Sequence, residues 1–302
     1  MRRNLKHYLN DQCSRVLRNL PYPIKQKAKG FPPISSTDHK SIMAVLCSHK
    51  QFLEGLWSLW SWMRYLSPIM SAVLLFDGKV TSEQKKLFQK LFPGGSLLEL
   101  DTFLAGRPLP FYLKRFILGN WTGKKFAAVF ELQKDFDVLY SDCDVIAFSN
   151  PDEIIDSIKF NRSAYLHDTV AYPLDPWLFR RAEKEGIPVS NHFNSGLIYV
   201  PKGEMRESLL ESMLGDWQSD FNTHFSEQTL FSTLLDWKSS IPLPQQRYVL
   251  SWQGVWIFQK DLNCRDLVCR HYTGPMRHRM YLSAYPFLLN QIKAEKLDSS
   301  RA

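Results

Sequence analysis

Between residues 41 and 140, short apolar runs alternate with stretches of helical period, and this alternation limits the fold more than any other feature of the chain. The runs Ser41–Leu46 (SIMAVL), Ser71–Phe76 (SAVLLF), Ser96–Leu100 and Val138–Tyr140 have strand length, and the first two show no polar alternation. Runs of that kind belong to strands buried on both faces of a sheet. Between them, Gln51–Tyr65 places Leu53, Leu56, Trp57, Trp60 and Met63 near a 3.6-residue spacing. Thr81–Phe92 reads as a helix with Thr81 as its cap and Pro93-Gly94-Gly95 as its stop. Pro110–Leu118 and Lys124–Gln133 read as two more helices. Strand and helix in repeated alternation predict an α/β fold with a mostly parallel, doubly wound sheet flanked by helices.

Downstream, Pro151-Asp152-Glu153 opens a short helix to Ile158, and Ser163–His167 is a strand followed by a polar, Pro-rich loop. Asn194–Val200 is a clear strand, and Glu204–Leu214 and Ser226–Leu235 are helices, the second with Ser226 as its cap. Tyr248–Leu250 and Val255–Ile257 are short strands suited to pairing with each other. No linker or repeat divides the chain, so residues 41–290 are expected to form one domain. Residues 1–40 are basic and punctuated by Pro21, Pro23, Pro32 and Pro33; they read as an irregular arm with a short helix over 4–18. Residues 291–302 read as a polar tail.

The net charge is +8, from 38 basic and 30 acidic residues. Such a surplus suits phosphorylated ligands or an anionic membrane surface, and the basic arm is either a surface tail or a peripheral membrane contact. No nucleic-acid-binding pattern is present, and no nucleic-acid partner is expected. No apolar run approaches the length of a membrane span, and no apolar stretch follows Met1–Tyr8 as a secretory signal requires, so a cytoplasmic location is expected. The cysteines at 13, 47, 143, 264 and 269 form no C-x-x-C, which predicts reduced thiols and no zinc site.

The segment Asp137–Phe148 carries the chemistry. It reads as an apolar strand that delivers Asp142 and Asp144 at its C-terminal end, and a period of two would put both carboxylates on one side of an extended backbone. Paired hard oxygen ligands hold Mg²⁺ or Mn²⁺, and such ions also engage phosphate oxygens. Ligands bind at the carboxyl ends of strands in open α/β sheets. A metal-dependent enzyme acting on a diphosphate compound follows from this, against the reading of two solvated loop aspartates.

Four segments stand in order: SDCD at 141–144, HFNSGLIYV at 192–200, SEQTLF at 226–231 and RHYTGPMRHRMY at 270–281. Together they resemble the GT-A glycosyltransferases, most closely those of glycosyltransferase family 8. The resemblance implies a GT-A, Rossmann-like fold with a small mixed sheet near the active site. It implies a metal held by Asp142, Asp144 and His271, and a nucleotide-sugar donor, UDP-linked, whose hexose is transferred with retention of configuration. Gly274 would let backbone approach a phosphate, and Arg277 or Arg279 would add charge there. Asn194 and Ser195 would reach sugar hydroxyls, with Gly196 leaving space. Glu227 would grip hydroxyls, and Gln228 would sit beside the anomeric carbon. Asp168 is a second contact for donor sugar or acceptor, or a loop aspartate. Cys47, Ser48 and His49 would meet the base, Asp77 base or ribose, and Lys124 or Lys125 a phosphate or solvent. Trp57, Trp60 and Trp62 read as core and helix surface, and Trp177, Trp252 and Trp256 as stacking surfaces for a sugar acceptor. That acceptor stays open among a glycan, a lipid-linked sugar and a protein. Two other classes remain: a metal-dependent phosphohydrolase or phosphotransferase, and a non-catalytic nucleotide-sugar binder on the same fold.

Overall fold

The structure, a computed structural model, describes residues 8–9, 12, 15–16, 23–37, 39–235, 238–251, 253 and 260–299. Of the helix expected over 4–18, the described residues are helical; the strand expected at Val255–Ile257 lies outside the described residues.

The first half runs β1 (Ser41–Ser48), α1 (Phe52–Leu66), β2 (Ser71–Asp77), α2 (Ser82–Leu91), β3 (Ser96–Glu99), α3 (Leu100–Ala105), α4 (Phe111–Gly119), α5 (Gly123–Leu132) and β4 (Asp137–Asp142). Thr81 caps α2 through a reciprocal pair of bonds: its hydroxyl accepts from Gln84 N, and its own N–H donates to Gln84 Oε1 at 2.9 Å. The second half runs β5 (Val145–Ala147), α6 (Asp152–Lys159), β6 (Ala164–His167), α7 (Pro176–Lys184), β7 (Phe193–Val200), α8 (Glu207–Leu214), α9 (Ser226–Leu234), β8 (Ile241–Pro242), β9 (Tyr248–Val249), β10 (Cys269–His271) and α10 (Tyr285–Ser299). Helix α7 occupies sequence read above as loop. Asp175 caps it, accepting from Trp177 N and Leu178 N, and Pro176 supplies a first-turn residue that needs no donor. Ser226 does not cap α9 but is its first residue, and its hydroxyl donates to Asp175.

The sheet is seven-stranded in the order β3-β2-β1-β4-β7-β6-β8. Strands β1, β2, β3 and β4 are mutually parallel, while β7 runs antiparallel to both β4 and β6. The sheet is therefore mainly, not wholly, parallel. Period-2 side chains feed two cores. Met43, Val45 and Cys47 face α1 and α2, whereas Ile42 and Ala44 face the layer built from α3, α4, α5, α8 and α9. A second, three-stranded sheet has the order β5-β10-β9, with β10 antiparallel to β5 and parallel to β9. Strand β9 thus pairs with β10, not with the segment expected at Val255–Ile257.

The packed fold begins upstream of Ser41. Ala28 and Phe31 are buried, and the Phe31 ring lies 4.5 Å from both Trp57 and Trp60. The Trp57 indole donates to Lys25 O and that of Trp60 to Pro32 O, so the segment 25–32 satisfies two buried α1 donors. Lys25 pairs with buried Glu54 at 2.8 Å, and Tyr281 donates to the same carboxylate. At the other end, the 290 boundary falls inside α10, whose Ile292 is buried. Among the described residues no helix is long and apolar enough to cross a membrane.

Phe31→Ala should lower the unfolding free energy by about 3–5 kcal/mol, the usual loss for a buried aromatic. Urea denaturation checks it; a loss below about 1 kcal/mol would place the 25–32 segment outside the cooperative core.

Candidate active site

Strand β1 is flanked by β2 and β4, and the strands that follow β1 run outward from it in one direction before β4 returns to its other side. That reversal opens a crevice at the carboxyl ends of β1 and β4. A cleft of about 730 Å³ occupies it, lined by Cys47 and Ser48 from β1 and by Asp142 and Asp144 from the end of β4 and beyond.

Asp142 is the last residue of β4, but Asp144 sits in the turn to β5. The two carboxylates therefore do not share one extended strand; a turn aims them together. Helix α1 clamps that turn: the Ser58 hydroxyl donates to Val145 O at 2.7 Å and to Asp142 O at 3.3 Å. The third group arrives from the second sheet. His271 ends β10 and pairs with Val145 of β5. Asp142, Asp144 and His271 each offer a ligand atom within 4.8 Å of the others.

The histidine's role follows from its partners. Asn194 Oδ1 accepts from Gly196 N at 2.9 Å, which identifies it as the amide oxygen. His271 Nδ1 lies 3.1 Å from that oxygen and so must donate to it. In the neutral ring Nε2 is then a lone pair pointing at two carboxylates, 3.3 Å from Asp144 Oδ1 and 3.9 Å from Asp142 Oδ2. Asp144 Oδ1 is buried and accepts no hydrogen bond. A lone pair facing buried carboxylate oxygens is repulsive unless a cation or proton lies between them. The donor set, two hard oxygens and one imidazole, fits a divalent metal. Burial would raise the Asp144 carboxyl, but Arg277, together with His271 when its ring carries the second proton, outweighs it and holds it well below the usual carboxylate range. Arg277 contacts Asp144 Oδ2 through Nε at 2.7 Å and Nη2 at 2.6 Å.

Gly196 makes room for this histidine. A Cβ there would lie 2.2 Å from His271 Cε1 and 2.6 Å from Nδ1. The imidazole is seated directly on the β7 backbone.

A second cluster surrounds Lys125, which is buried at the start of α5. Its ammonium lies 3.3 Å from Asp142 Oδ1, 3.2 Å from Glu227 Oε1 and 3.0 Å from Ser195 Oγ. Burial alone would discharge it, but Asp142 and Glu227 outweigh that and raise its pKa. Burial pushes the Glu227 carboxyl up, with Lys125 opposing. Ser195 Oγ lies 3.1 Å from Glu227 Oε2, and Ser195 N donates to Gln228 Oε1 at 3.2 Å. The Tyr140 hydroxyl donates to Asp142 Oδ1 at 2.6 Å.

The remaining expected residues separate into cleft and periphery. Asp168 lines the cleft, half-buried, with its carboxylate bound to Val170 N and its pKa raised by burial. Asp77 lines the rim and pairs with Lys124, which also pairs with Asp101. Gly274 lines the cleft in a left-handed conformation, φ 44°. Arg279 is buried and does not line it. Trp57, Trp60 and Trp62 are all core, none of them helix surface. Trp177 stacks on Phe221 at 4.4 Å, away from the cleft wall; Trp252 and Trp256 lie outside the described residues. The sequence reading missed Tyr140, Ser58, Trp121 and His224. Tyr140 was legible as a period-2 neighbour of Asp142; the others come together only in the fold.

No protein-family model and no curated protein matches the sequence. Solved structures do match the fold. The bifunctional glycosyltransferase WbbM, in its apo structure, superposes with a TM-score of 0.52 at 14% identity over 87% of this chain. This chain spans 52% of that one. Mouse xyloside xylosyltransferase 1, also apo, gives a TM-score of 0.50 at 13% identity over 80% of this chain and 98% of its own. The fold is thus the GT-A fold of nucleotide-sugar glycosyltransferases.

Gly196→Ala should push the His271 ring off its seat and weaken Mn²⁺ binding by about 10–100-fold, the range for disturbed ligand support. Titration of free Mn²⁺ by electron paramagnetic resonance reads this directly. Unchanged affinity would remove His271 from the ligand set.

Proposed function

We propose that this chain is a metal-assisted glycosyltransferase that moves a hexose from a nucleotide-diphosphate sugar, UDP-linked, to an acceptor with retention of configuration. The observation that carries the reading is the meeting of Asp142, Asp144 and His271 at the carboxyl edge of the parallel strands. Those three residues would hold Mn²⁺ or Mg²⁺. When bound, such an ion neutralises diphosphate charge and stabilises the departing nucleoside diphosphate.

The chain's own groups supply the rest. Arg277 brings a permanent charge to the same end of the cleft, where it can turn from Asp144 to a diphosphate oxygen. Cys47, Ser48 and Asp77 form the flank that takes base and ribose. Glu227 and Ser195, held by Lys125, present fixed oxygens to sugar hydroxyls. The carbonyl oxygen of Gln228 accepts from the β7 backbone through one lone pair, which fixes the amide beside them; the second lone pair of that oxygen would stabilise positive charge developing at the anomeric carbon. Asp168 lines the same cleft, where it would contact the donor sugar or the acceptor. The four described cysteines, Cys47, Cys143, Cys264 and Cys269, are unpaired and buried, which fits the reducing cytoplasm.

A panel of sugar nucleotides screened for nucleoside diphosphate release with Mn²⁺ tests the proposal. Release from one hexose donor, abolished by EDTA and by Asp144→Ala, is the expected result. Phosphate release from a phosphomonoester, with no sugar transfer, would overturn it. Gln228→Ala should lower kcat by about 10²-fold, about 2.7 kcal/mol of transition-state stabilisation, while UDP affinity stays near wild type. Steady-state kinetics with UDP as competitor checks this; weaker UDP binding with unchanged kcat would move Gln228 to the nucleotide site.

A further inference from the structure

A row of aromatic rings runs from the interior of the cleft to solvent. Its inner member is buried Tyr172, which lies beside Gln228 and donates its hydroxyl to Ser190 O. Phe225 follows at 5.0 Å between ring centroids, then His224 at 4.8 Å, then Trp121 at 5.6 Å. All four line the same cleft. Trp121 is 71% exposed and nearly parallel to His224, at 20°. A large indole held in the open at a cleft mouth, with one face on His224, leaves most of its apolar surface in water.

Charge near the row is already matched. Lys124, three residues beyond Trp121, is paired with both Asp77 and Asp101. Among the described residues that line the cleft, every lysine and arginine has an acidic partner, so none on that rim calls for a phosphate or an acidic peptide. The inner end instead offers the half-buried carboxylate of Asp168 and the Gln228 amide, groups suited to hydroxyls. Flat ring faces at the outside and hydroxyl-binding groups at the inside are the two demands of a saccharide chain. The apolar faces of its rings stack on aromatics, and its reactive end needs hydrogen bonds.

Resting on the proposed transferase activity, we propose that this row is the acceptor track and that the acceptor is a saccharide chain of two or more rings. Its terminal ring lies between Asp168 and Gln228, and a ring further along the chain stacks on Trp121. A monosaccharide reaches only the inner groups, so the track selects for length. Trp121 acts through binding area alone and holds no reacting atom.

The test is an immobilised panel of defined mono-, di- and tetrasaccharides probed with labelled full-length protein in the presence of UDP and Mn²⁺. The wild type should be retained by at least one chain of two or more rings. Trp121→Ala should lose about tenfold or more of that affinity, and Trp121→Phe should retain most of it, about the difference made by one stacked ring. Circular dichroism confirms that both variants are folded. Retention by no saccharide, or equal retention of wild type and Trp121→Ala, overturns the inference. So does capture by peptide or by lipid vesicles of phosphatidylcholine run in parallel, with no saccharide bound. Donor turnover without saccharide retention sinks only the track; no turnover of any sugar nucleotide sinks the transferase reading itself.

Discussion

One buried ammonium group joins the elements that make the cleft. Lys125 comes from α5, Asp142 from β4, Ser195 from β7 and Glu227 from α9, and the lysine meets all three partners within 3.3 Å. A buried carboxylate without a partner costs several kcal/mol, so buried Glu227 depends on the lysine, and the buried lysine depends on Glu227 and on the partly exposed Asp142. The pairing ties α5 and α9, which pack against each other in one layer through Phe126 and Phe231, to the same strand ends. It also fixes Gln228, the next residue on α9, against the β7 backbone. The geometry of the sugar end of the cleft is thus a consequence of charge neutralisation in a dry place.

The metal end rests on a different device, the second sheet. Strand β5 leaves the D-x-D turn and takes β10 as its antiparallel partner, which returns His271 to the carboxylates across more than a hundred residues of chain. Three supports hold that return in place. Ser58 ties the turn to α1, Asn194 selects the imidazole tautomer, and Gly196 admits the ring. Helix α1 is in turn packed by the segment around Phe31 and by the Lys25–Glu54 pair. Residues far upstream of the D-x-D therefore contribute to its rigidity.

The outline of this arrangement was legible in the sequence because burial and chain reversal leave local marks. The doubly buried strands at 41–48 and 71–77 carry unbroken apolar runs, and Thr81 with Gln84 marks a helix start by chemistry alone. The direction of β7 was not legible: a fully buried strand has the same pattern whether it runs parallel or antiparallel. Helix α7 did carry a signal, Asp175-Pro176 as cap and first residue, hidden by its proline-rich surroundings. At the site, Asp142, Asp144 and His271 were readable as ligand types in a family-like order. The contact of Lys125 with Glu227 and the stacking of Trp121 on His224 were not, since each joins residues about a hundred positions apart with no local periodicity. Gly196 was read only as leaving space, because a glycine's neighbour, here His271, is invisible until the chain is folded.

The central claim is that the two carboxylates and the imidazole form one cation site at the diphosphate end of the cleft. Crystals grown with UDP and Mn²⁺, measured at the manganese absorption edge, test it most directly. The account predicts one anomalous peak within coordinating distance of Asp142, Asp144 and His271 Nε2, about 2 Å, with the UDP phosphates beside it. A peak elsewhere in the cleft, or UDP bound with Arg277 still on Asp144 and no peak at all, would contradict it.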